Sequence, residues 1–403
     1  MNRIIFLIAL LAAFPPLSTD MYLPAIPILR ETWAQPLVTI NLTLIAFFIV
    51  YCFGMLFYGP VSDRFGRRPP LLIGISIYIA GSLLCAISWN VWVLVAFRVL
   101  QAAGAASAAA LATAITKDLF KVDYRGKVLA YISIMTTLAP MVAPILGGWI
   151  LTFLSWPFIF VLQATMGSLA LYGVYRISEP LKARNDSGIL RAITAYIRLF
   201  RNARFFSLNA ANAIISIAFY AFIAGSADIY ITRFGLSEAS FSYIYAFNAL
   251  AMMVGAFSYS RLDGRIPGQH IITISYAGIM LAGVWMLAAV HDSPWDLALP
   301  MWIVAFFLGM SRPNAINLIL EQVDRDTGSA SGMIGFSRIM VGSLGMWIIS
   351  LGWPDKITVI GILAACTGAV TLLFWLLAKN IFVIPSGSAA HPSGDNPGTH
   401  IAP

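Results

Sequence analysis

Twelve long apolar stretches dominate this sequence, and each is close to the roughly 20 residues that an α-helix needs to cross a bilayer. Hydrophobic residues make up 60% of the 403-residue chain and charged residues only 10%, whereas a soluble domain usually carries about a quarter charged residues. We therefore predict an all-α membrane protein with twelve transmembrane helices, at residues 4–26, 38–60, 70–88, 91–115, 128–152, 156–177, 206–230, 240–260, 270–290, 297–319, 329–352 and 357–379.

The first apolar stretch also resembles a cleavable signal peptide, because it has one arginine and a short apolar core. Residues 20–27 continue it into a second half-helix and offer no small-residue cleavage site. We therefore expect this stretch to be retained as a transmembrane helix.

Lysines and arginines are distributed unevenly between the two sides of the predicted spans. If the N-terminus is cytoplasmic, the connections on the outer side contain the basic residues Arg30, Arg233 and Lys356. Most of the other lysines and arginines then lie on the cytoplasmic side. The positive-inside rule therefore predicts cytoplasmic N- and C-termini. The same distribution explains the net charge of +8 without a nucleic-acid partner.

The sequence has no signature of an enzyme, a cofactor or a metal site. Three cysteines, Cys52, Cys85 and Cys366, lie in apolar stretches, which disfavours a disulfide framework or a metal cluster. The sequence has no P-loop, so ATP is not expected to drive the protein. The four histidines have no neighbouring residues in the sequence that would complete a metal site. An ion gradient is therefore the expected energy source.

A polar stretch near the middle of the chain divides the spans into two groups of six. We predict an N-terminal six-helix bundle at residues 1–178, a cytoplasmic connecting loop at 179–205, a C-terminal bundle at 206–380 and a disordered cytoplasmic tail at 381–403. Parallel repeats of this kind are typical of secondary transporters. A sequence similarity between the halves supports the repeat. Span one ends with TDMYL, and span seven ends with the similar ADIYI.

Four motifs resemble those of one family. The hairpin at residues 59–70, GPVSDRFGRRPP, is similar to the signature that the major facilitator superfamily carries between spans two and three. RVLQAAG at residues 98–104 resembles the second motif of that superfamily, and DMYLPAIP at residues 20–27 resembles its bicyclomycin-resistance (Bcr/CflA) subfamily. Span five resembles the motif of the superfamily's antiporters in Pro140, Pro144, Gly147 and Gly148.

This resemblance implies the major facilitator fold, with two six-helix parallel repeats in a bacterial inner membrane. It also implies a monomer that exports drug-like small molecules in exchange for protons and uses no cofactor. An uptake symporter or facilitator for a specific metabolite would share the fold. A non-transporting receptor or membrane enzyme would leave the repeat unexplained.

The charged hairpin is interpreted as a latch, meaning a contact that holds the cytoplasmic helix ends together until the cavity opens inward. Its glycines permit tight backbone geometry, and its aspartate can pair with a neighbouring arginine. A basic loop that only enforces topology is the alternative, but such a loop needs neither the aspartate nor the glycines. The latch residues are Gly59, Asp63, Arg64, Gly66, Arg67 and Arg68.

Asp20 and Arg98 are the candidate proton-coupling residues, because ionisable side chains inside a span are costly and usually functional. Prolines on both sides of Asp20 predict a discontinuous helix that lines a polar cavity. Arg98, in the outer half of span four, is the expected counter-charge. The alternatives are an acid at the outer interface for Asp20 and a structural brace for Arg98.

Other polar and aromatic residues in the spans are candidates for a substrate cavity. Asp228 is interpreted either as a second proton or cation site or as a surface ion pair with Arg233. Arg312 in span ten could favour an anionic or zwitterionic substrate. The prolines and glycines of span five either bend the helix so that it seals the centre of the protein against proton leak or allow ordinary close packing of helices. The predicted cavity comprises Tyr22, Asn41, Gln101, Tyr220, Asp228, Tyr230, Asn248 and Arg338.

Overall fold

A computed structural model describes residues 2–120, 122–181, 188–323 and 325–382. Twelve segments of this part of the chain are helical, long and apolar enough to cross a membrane, which confirms the predicted all-α fold with twelve spans. Helices α1 to α15 are Asn2–Asp20, Ile26–Trp33, Leu37–Phe65, Arg68–Ala86, Val91–Leu119, Val122–Phe153, Pro157–Arg176, Gly188–Arg201, Ala203–Ile214, Ile217–Ala227, Glu238–Leu262, Gly268–Ala288, Trp295–Leu320, Thr327–Ser350 and Lys356–Phe382.

The first and seventh spans are each built from more than one piece. Helix α1 runs through Pro15 and Pro16 to Asp20, a 3₁₀ turn covers Leu23–Ala25, and α2 then continues the same span. The break expected before Asp20 is therefore wrong, whereas the predicted discontinuity is present after it. Pro24 and Pro27 lack backbone N–H donors and therefore favour this break. In the seventh span, α9 and α10 are followed by a π-helical segment, Asp228–Arg233. Each break places an aspartate at a helix end.

Polar side chains cap several helices where they enter or leave the apolar region. The side-chain oxygen of Asn90 accepts from the Val93 N–H at 2.9 Å at the start of α5, and Ser237 caps α11 through the Ser240 N–H at 3.2 Å. Each cap satisfies a donor that has no partner within its helix. Gly66 ends α3 with φ +96°, a conformation that favours glycine.

The spans α1 to α7 form one half of the molecule and the spans α9 to α15 form the other. The two halves meet where α3 packs against α14 and α6 packs against α11. We call the end that contains the α3–α4 connection the Asp63 end, and we call the opposite end the Asp228 end. Many large apolar side chains are exposed on the surface of the spans, as expected of a surface that contacts lipid.

The connection that was predicted as a loop at residues 179–205 contains helix α8. Its buried residues Ala195 and Leu199 are four apart and share one face. The Tyr196 hydroxyl donates to the carbonyl of Leu56 in the first half at 3.3 Å, and Arg198 pairs with Asp326 of the second half at 3.0 Å. Helix α8 therefore contacts both halves. Most of the predicted tail, residues 383–403, lies outside the described residues.

Candidate functional site

Arg98 lies on α5 in the middle of the first half, and its side chain is 0% exposed. Its Nη1 atom donates to the carbonyl of Ser18 at 2.9 Å and to Oε1 of Gln101 at 2.7 Å. Three aromatic rings surround the guanidinium group. Their centroids lie 4.3 Å (Phe47), 5.0 Å (Tyr22) and 5.9 Å (Phe160) from the guanidinium carbon. Cation–π contacts and oxygen acceptors therefore stabilise this charge. No carboxylate among the described residues forms an ion pair with it.

Buried amides connect Arg98 to the end of α1. Gln101 Nε2 donates to Oε1 of Gln163 at 2.7 Å, and Gln163 Nε2 donates to the carbonyl of Leu17 at 3.1 Å. The network holds the break in the first span against α5 and α7. Gln163 was not predicted as a site residue. The signal that could have identified it is an amide inside an apolar span, where a polar group must find a partner within the protein.

Asp20 lies at the break in the first span and is 6% exposed. The Thr19 hydroxyl donates to its Oδ1 at 2.9 Å, and Tyr245 of the second half lies within electrostatic range. The expected ion pair with Arg98 is not formed, because Arg98 donates to the carbonyl of Ser18 instead. Among the described residues, no basic side chain forms an ion pair with Asp20.

The glycines of span five lie against this break and against the second half. A Cβ atom on Gly147 would lie 2.1 Å from the carbonyl oxygen of Met21, and one on Gly148 would lie 2.5 Å from Oγ of Ser242. Both distances are far below van der Waals contact, so these positions accommodate only glycine without movement of a neighbour. Pro140 and Pro144 lie inside α6.

Asp228 joins the two halves. Its Oδ1 accepts from Nη1 of Arg30, in the first half, at 2.6 Å, and its Oδ2 accepts from Nζ of Lys356. Its side chain is only 8% exposed. The predicted surface pair between Asp228 and Arg233 is wrong, because Arg233 pairs with Asp355. The sequence order alone could not show that Arg30 lies nearer.

Asp355, just before α15, collects several contacts at the same end. It accepts from Arg233, its Oδ2 lies 2.6 Å from Nδ1 of His291, and the Thr358 hydroxyl donates to it at 2.5 Å. Burial alone would raise the pKa of Asp355, but hydrogen bonds from Thr358, Arg233 and His291 outweigh burial and lower that pKa well below its usual value. The carboxylate is therefore ionised over the physiological pH range.

At the opposite end, Arg67 organises the charged hairpin. Its guanidinium pairs with Asp63 at 2.5 Å and with Asp118 at 2.7 Å, and it donates to the Ser62 hydroxyl at 2.6 Å. Burial would lower the pKa of Arg67, but the hydrogen bonds and charges of Asp118 and Asp63 outweigh burial and raise it. Arg67 therefore joins α3 to the end of α5.

Glu179 completes the hairpin from the end of the sixth span. Its carboxylate accepts from the backbone N–H groups of Arg67 at 2.7 Å and of Arg68 at 3.0 Å. It also lies 2.7 Å from the position of a Cβ on Gly66, whereas a Cβ on Gly59 would meet no atom within 4 Å. The predicted tight geometry therefore holds at Gly66 and is wrong at Gly59.

The partners of the hairpin were not predicted, although both are acidic residues at the ends of spans. Asp118 and Glu179 belong to the first half, as do Asp63 and Arg67. The Arg68 guanidinium donates to the carbonyl of Tyr175, also in this half, at 2.7 Å. Within the described residues, the ion pairs of the hairpin therefore stay inside one half.

The predicted cavity residues fall in different environments. Tyr22 and Gln101 lie beside Arg98. Asn41 joins the halves at the Asp228 end, where its Nδ2 donates to the carbonyl of Ala224 at 3.0 Å and to Oγ of Ser350 at 2.8 Å.

The remaining cavity candidates belong to the second half. Tyr220 packs against Phe48 of the first half, with ring centroids 5.6 Å apart, and Arg338 lies on α14. Tyr230 packs against Phe241 with ring centroids 6.1 Å apart, and Asn248 donates within its own helix. The eight predicted residues therefore do not form one cluster. Some lie beside Arg98 inside the first half, and others lie at the contact between the halves.

Residues 8–346 match the family model of the Major Facilitator Superfamily. An uncharacterized MFS-type transporter, YdgK, of Bacillus subtilis is 30% identical, over 93% of this chain and 95% of its own. A bicyclomycin resistance protein homolog of Haemophilus influenzae is 29% identical, over 93% of this chain and 96% of its own. The crystal structure of a D-xylose-proton symporter has the same fold, with a TM-score of 0.74 at 13% identity, over 93% of this chain and 97% of the symporter.

These matches confirm the resemblance in the four motifs, including the resemblance to the bicyclomycin-resistance subfamily. They also confirm the prediction that the protein is a transporter rather than an enzyme. A transporter of this fold is embedded in the bilayer and carries a small molecule between its halves. With its twelve spans and a family match over most of its length, the chain belongs to the Major Facilitator Superfamily of membrane transporters.

Proposed function

We propose that this protein is a proton-coupled antiporter that exports drug-like small molecules across the bacterial inner membrane by alternating access. The observation that carries the proposal is Asp20, a carboxylate buried inside a span without an ion-pair partner among the described residues. A buried charge without a partner is costly, and proton binding removes it. The resemblance to the bicyclomycin-resistance subfamily supports export rather than uptake.

Arg98 has a different role in this proposal from the one predicted. It is a fixed cation whose acceptors and surrounding rings do not depend on Asp20. Because Arg98 donates to the carbonyl of Ser18, it positions the helix end that carries Asp20. Movement of this helix end is therefore transmitted to α5, and proton binding at Asp20 can bias the arrangement of the two halves.

Alternating access is supported by the contrast between the two ends. At the Asp228 end, Arg30 pairs with Asp228, and Asn41 bonds to Ser350, so direct contacts join the halves. At the Asp63 end, the ion pairs of the hairpin stay within the first half. The ion pairs between the halves described above therefore lie at the Asp228 end, and the hairpin contacts at the Asp63 end can persist while the halves move relative to each other there.

The remaining features of the proposal concern topology and organisation. The positive-inside rule places the Asp63 end in the cytoplasm, together with both termini. The two bundles at residues 1–178 and 206–380 move relative to each other, and residues 179–205 connect them. A monomer is sufficient, because both halves of the candidate site come from one chain.

The proposal is tested by a drug-susceptibility panel in an efflux-deficient bacterial host, with and without a protonophore. Bicyclomycin and chloramphenicol are the first compounds, and export is followed in everted membrane vesicles that carry a pH gradient. We expect expression to raise resistance to at least one compound and the protonophore to abolish the export. Uptake in the opposite direction, or export that the protonophore leaves unchanged, would overturn the proposal.

The role of Asp20 is tested in the same vesicles with Asp20→Asn. The substitution removes the proton site with almost no change in volume, so pH-gradient-driven export should fall at least 10-fold while the amount of protein in the membrane is unchanged. Asp228→Asn is the matched variant at the equivalent place in the second repeat. It should keep the dependence on the pH gradient. Normal coupling in Asp20→Asn would show that the proton binds elsewhere.

A further inference from the structure

Two arginines lie inside spans of the second half, close to each other. Arg312 is on α13 and Arg338 is on α14, and their guanidinium groups lie within electrostatic range. Among the described residues, no carboxylate forms an ion pair with either one. Two like charges in a low-dielectric region repel each other, so this arrangement is unfavourable unless an anion lies between them.

The hydrogen bonding of this pair is also incomplete. Nη1 of Arg312 has a weak acceptor, Sδ of Met252 at 3.8 Å, and the buried Nε of Arg338 has no partner among the described residues. Nη2 of Arg98 also has no partner among the described residues, but the charge of Arg98 is stabilised by two strong oxygen acceptors and three surrounding rings. Both arginines of the second half are partly exposed, whereas Arg98 is fully buried.

Both arginines lie near the contact between the two halves. Arg338 is within electrostatic range of Tyr51 of the first half, and Arg312 is within range of Tyr220. Two residues before Arg338, toward the Asp63 end, the ring of Phe336 packs against that of Phe53 of the first half, with centroids 5.1 Å apart. The pair therefore faces the surface where α14 meets α3.

The depth of the pair also suits a transported molecule. Arg312 is eight residues before the end of α13 and Arg338 is eleven residues after the start of α14, so both lie about 12–17 Å from the Asp63 end of these helices. This is close to the middle of a hydrocarbon core about 30 Å thick. Substrate sites of secondary transporters lie at this depth, between the repeats.

We propose that Arg312 and Arg338 form a subsite for an oxyanion group, a carboxylate, sulfonate or phosphonate, of the transported molecule. The planar guanidinium fork binds such groups through two parallel hydrogen bonds. The unpartnered Nε of Arg338 supplies one donor, and the rings of Tyr51 and Tyr220 supply apolar surface for the rest of an aromatic molecule. The inference rests on the proposed transport function and assigns its substrate class as acidic or zwitterionic amphipathic molecules.

Binding is measured on the purified full chain in lipid-free detergent, with 2-naphthoate as the probe and the neutral 2-naphthamide as its matched control. The melting temperature of the wild-type protein should rise with naphthoate in a saturable way and not with naphthamide. Arg312→Gln and Arg338→Gln should each weaken naphthoate binding about 10-fold or more, since each removes one charged donor group. Arg204→Gln, an exposed arginine at the start of α9, should bind naphthoate as the wild type does.

Equal responses to naphthoate and naphthamide would overturn the assignment, as would wild-type binding by Arg338→Gln. If a glutamine variant fails to elute as a monodisperse protein, Arg312→Lys and Arg338→Lys replace it. Lysine keeps the charge and loses the fork, so naphthoate binding should be weaker than in the wild type, and unchanged binding by both lysine variants would overturn the assignment.

A lipid headgroup has the same oxyanion chemistry, so the measurement is repeated in nanodiscs with and without phosphatidylglycerol. If this lipid abolishes the naphthoate response, the site takes a headgroup and the substrate assignment is wrong. Failure of this inference differs from failure of the proposed function. Protonophore-sensitive export of a neutral drug that is equal in the wild type and Arg338→Gln, without naphthoate binding, would leave the antiporter proposal intact.

Discussion

Arg30 of the first half donates to Asp228 of the second at 2.6 Å, and Lys356 approaches the same carboxylate from α15. Asp20 stands at the equivalent place in the first repeat, yet among the described residues only the Thr19 hydroxyl donates to its carboxylate. The two repeats therefore use one sequence position for different purposes. In the second half the aspartate is a fixed ion-pair partner, and in the first half it is free of any ion pair among the described residues.

Removal of the Arg30 charge should loosen the contact between the halves at the Asp228 end. Arg30 is partly exposed and Lys356 still pairs with Asp228, so Arg30→Gln should cost only about 1 kcal/mol. The measurement is the rate at which a maleimide labels a cysteine at the buried position Ser226, in a background without the native cysteines, and we expect a rise of about fivefold.

Arg30→Lys serves as the control for this pair. It keeps a positive charge beside Asp228 and should leave the labelling rate near the wild-type value. An Arg30→Gln variant that is labelled at the wild-type rate would show that the ion pair does not hold this end closed.

Gly66 and Gly59 should respond oppositely to the same substitution. Gly66 has φ +96°, and an added Cβ would meet Glu179, so Gly66→Ala should cost about 1–3 kcal/mol and lower the melting temperature. Gly59 lies inside α3 with open space around it, so Gly59→Ala should leave stability unchanged or raise it by about 0.5–1 kcal/mol. Equal melting temperatures for the two variants would contradict the close approach of Glu179 to Gly66.

Gly147→Ala should impair transport through the break in the first span. The new Cβ would lie 2.1 Å from the carbonyl of Met21, so the helix end that carries Asp20 must move, at a cost of about 1–3 kcal/mol. We expect pH-gradient-driven export in vesicles to fall more than 10-fold. Gly352→Ala is the control, because no atom lies within 4 Å of its added Cβ. Full export by Gly147→Ala would show that the break tolerates this displacement.

The acid stability of the Asp228 end should depend on Asp355. The folded protein lowers the pKa of this carboxyl below its usual value of about 3.8, so its contribution to stability is complete at neutral pH. That contribution is lost as the pH falls below about 4, when the carboxyl in the unfolded chain takes up protons first. Melting temperatures between pH 3 and pH 7 should therefore fall less steeply for Asp355→Asn than for the wild type.

Asp292→Asn is the matched variant for this pH series. Asp292 is exposed and forms no ion pair among the described residues, so its pH profile should follow that of the wild type. Parallel profiles for Asp355→Asn and the wild type would show that the contacts with Arg233 and His291 do not contribute to acid stability.

Features that depend on neighbouring residues could be predicted from the sequence. The length of each apolar stretch defines the spans, because a helix must cross a hydrocarbon layer of nearly constant thickness. Pro24 and Pro27 predicted the break after Asp20, because proline removes backbone donors locally. The prediction of tight geometry at Gly66 was correct, because its φ of +96° favours glycine, whereas at Gly59 the helix continues.

Which charges meet was decided only by the tertiary structure. Arg30 and Asp228 are 198 positions apart, and Arg67 and Glu179 are 112 apart, so no local pattern relates them. The expected contacts of Asp20 with Arg98 and of Asp228 with Arg233 were chosen for similar depth or nearness in sequence. An ion pair also requires the right rotation of each helix about its axis, and helix packing sets that rotation. The sequence by itself therefore determined the spans, the repeat and the family, and the packing of the two halves determined the partner of each buried charge.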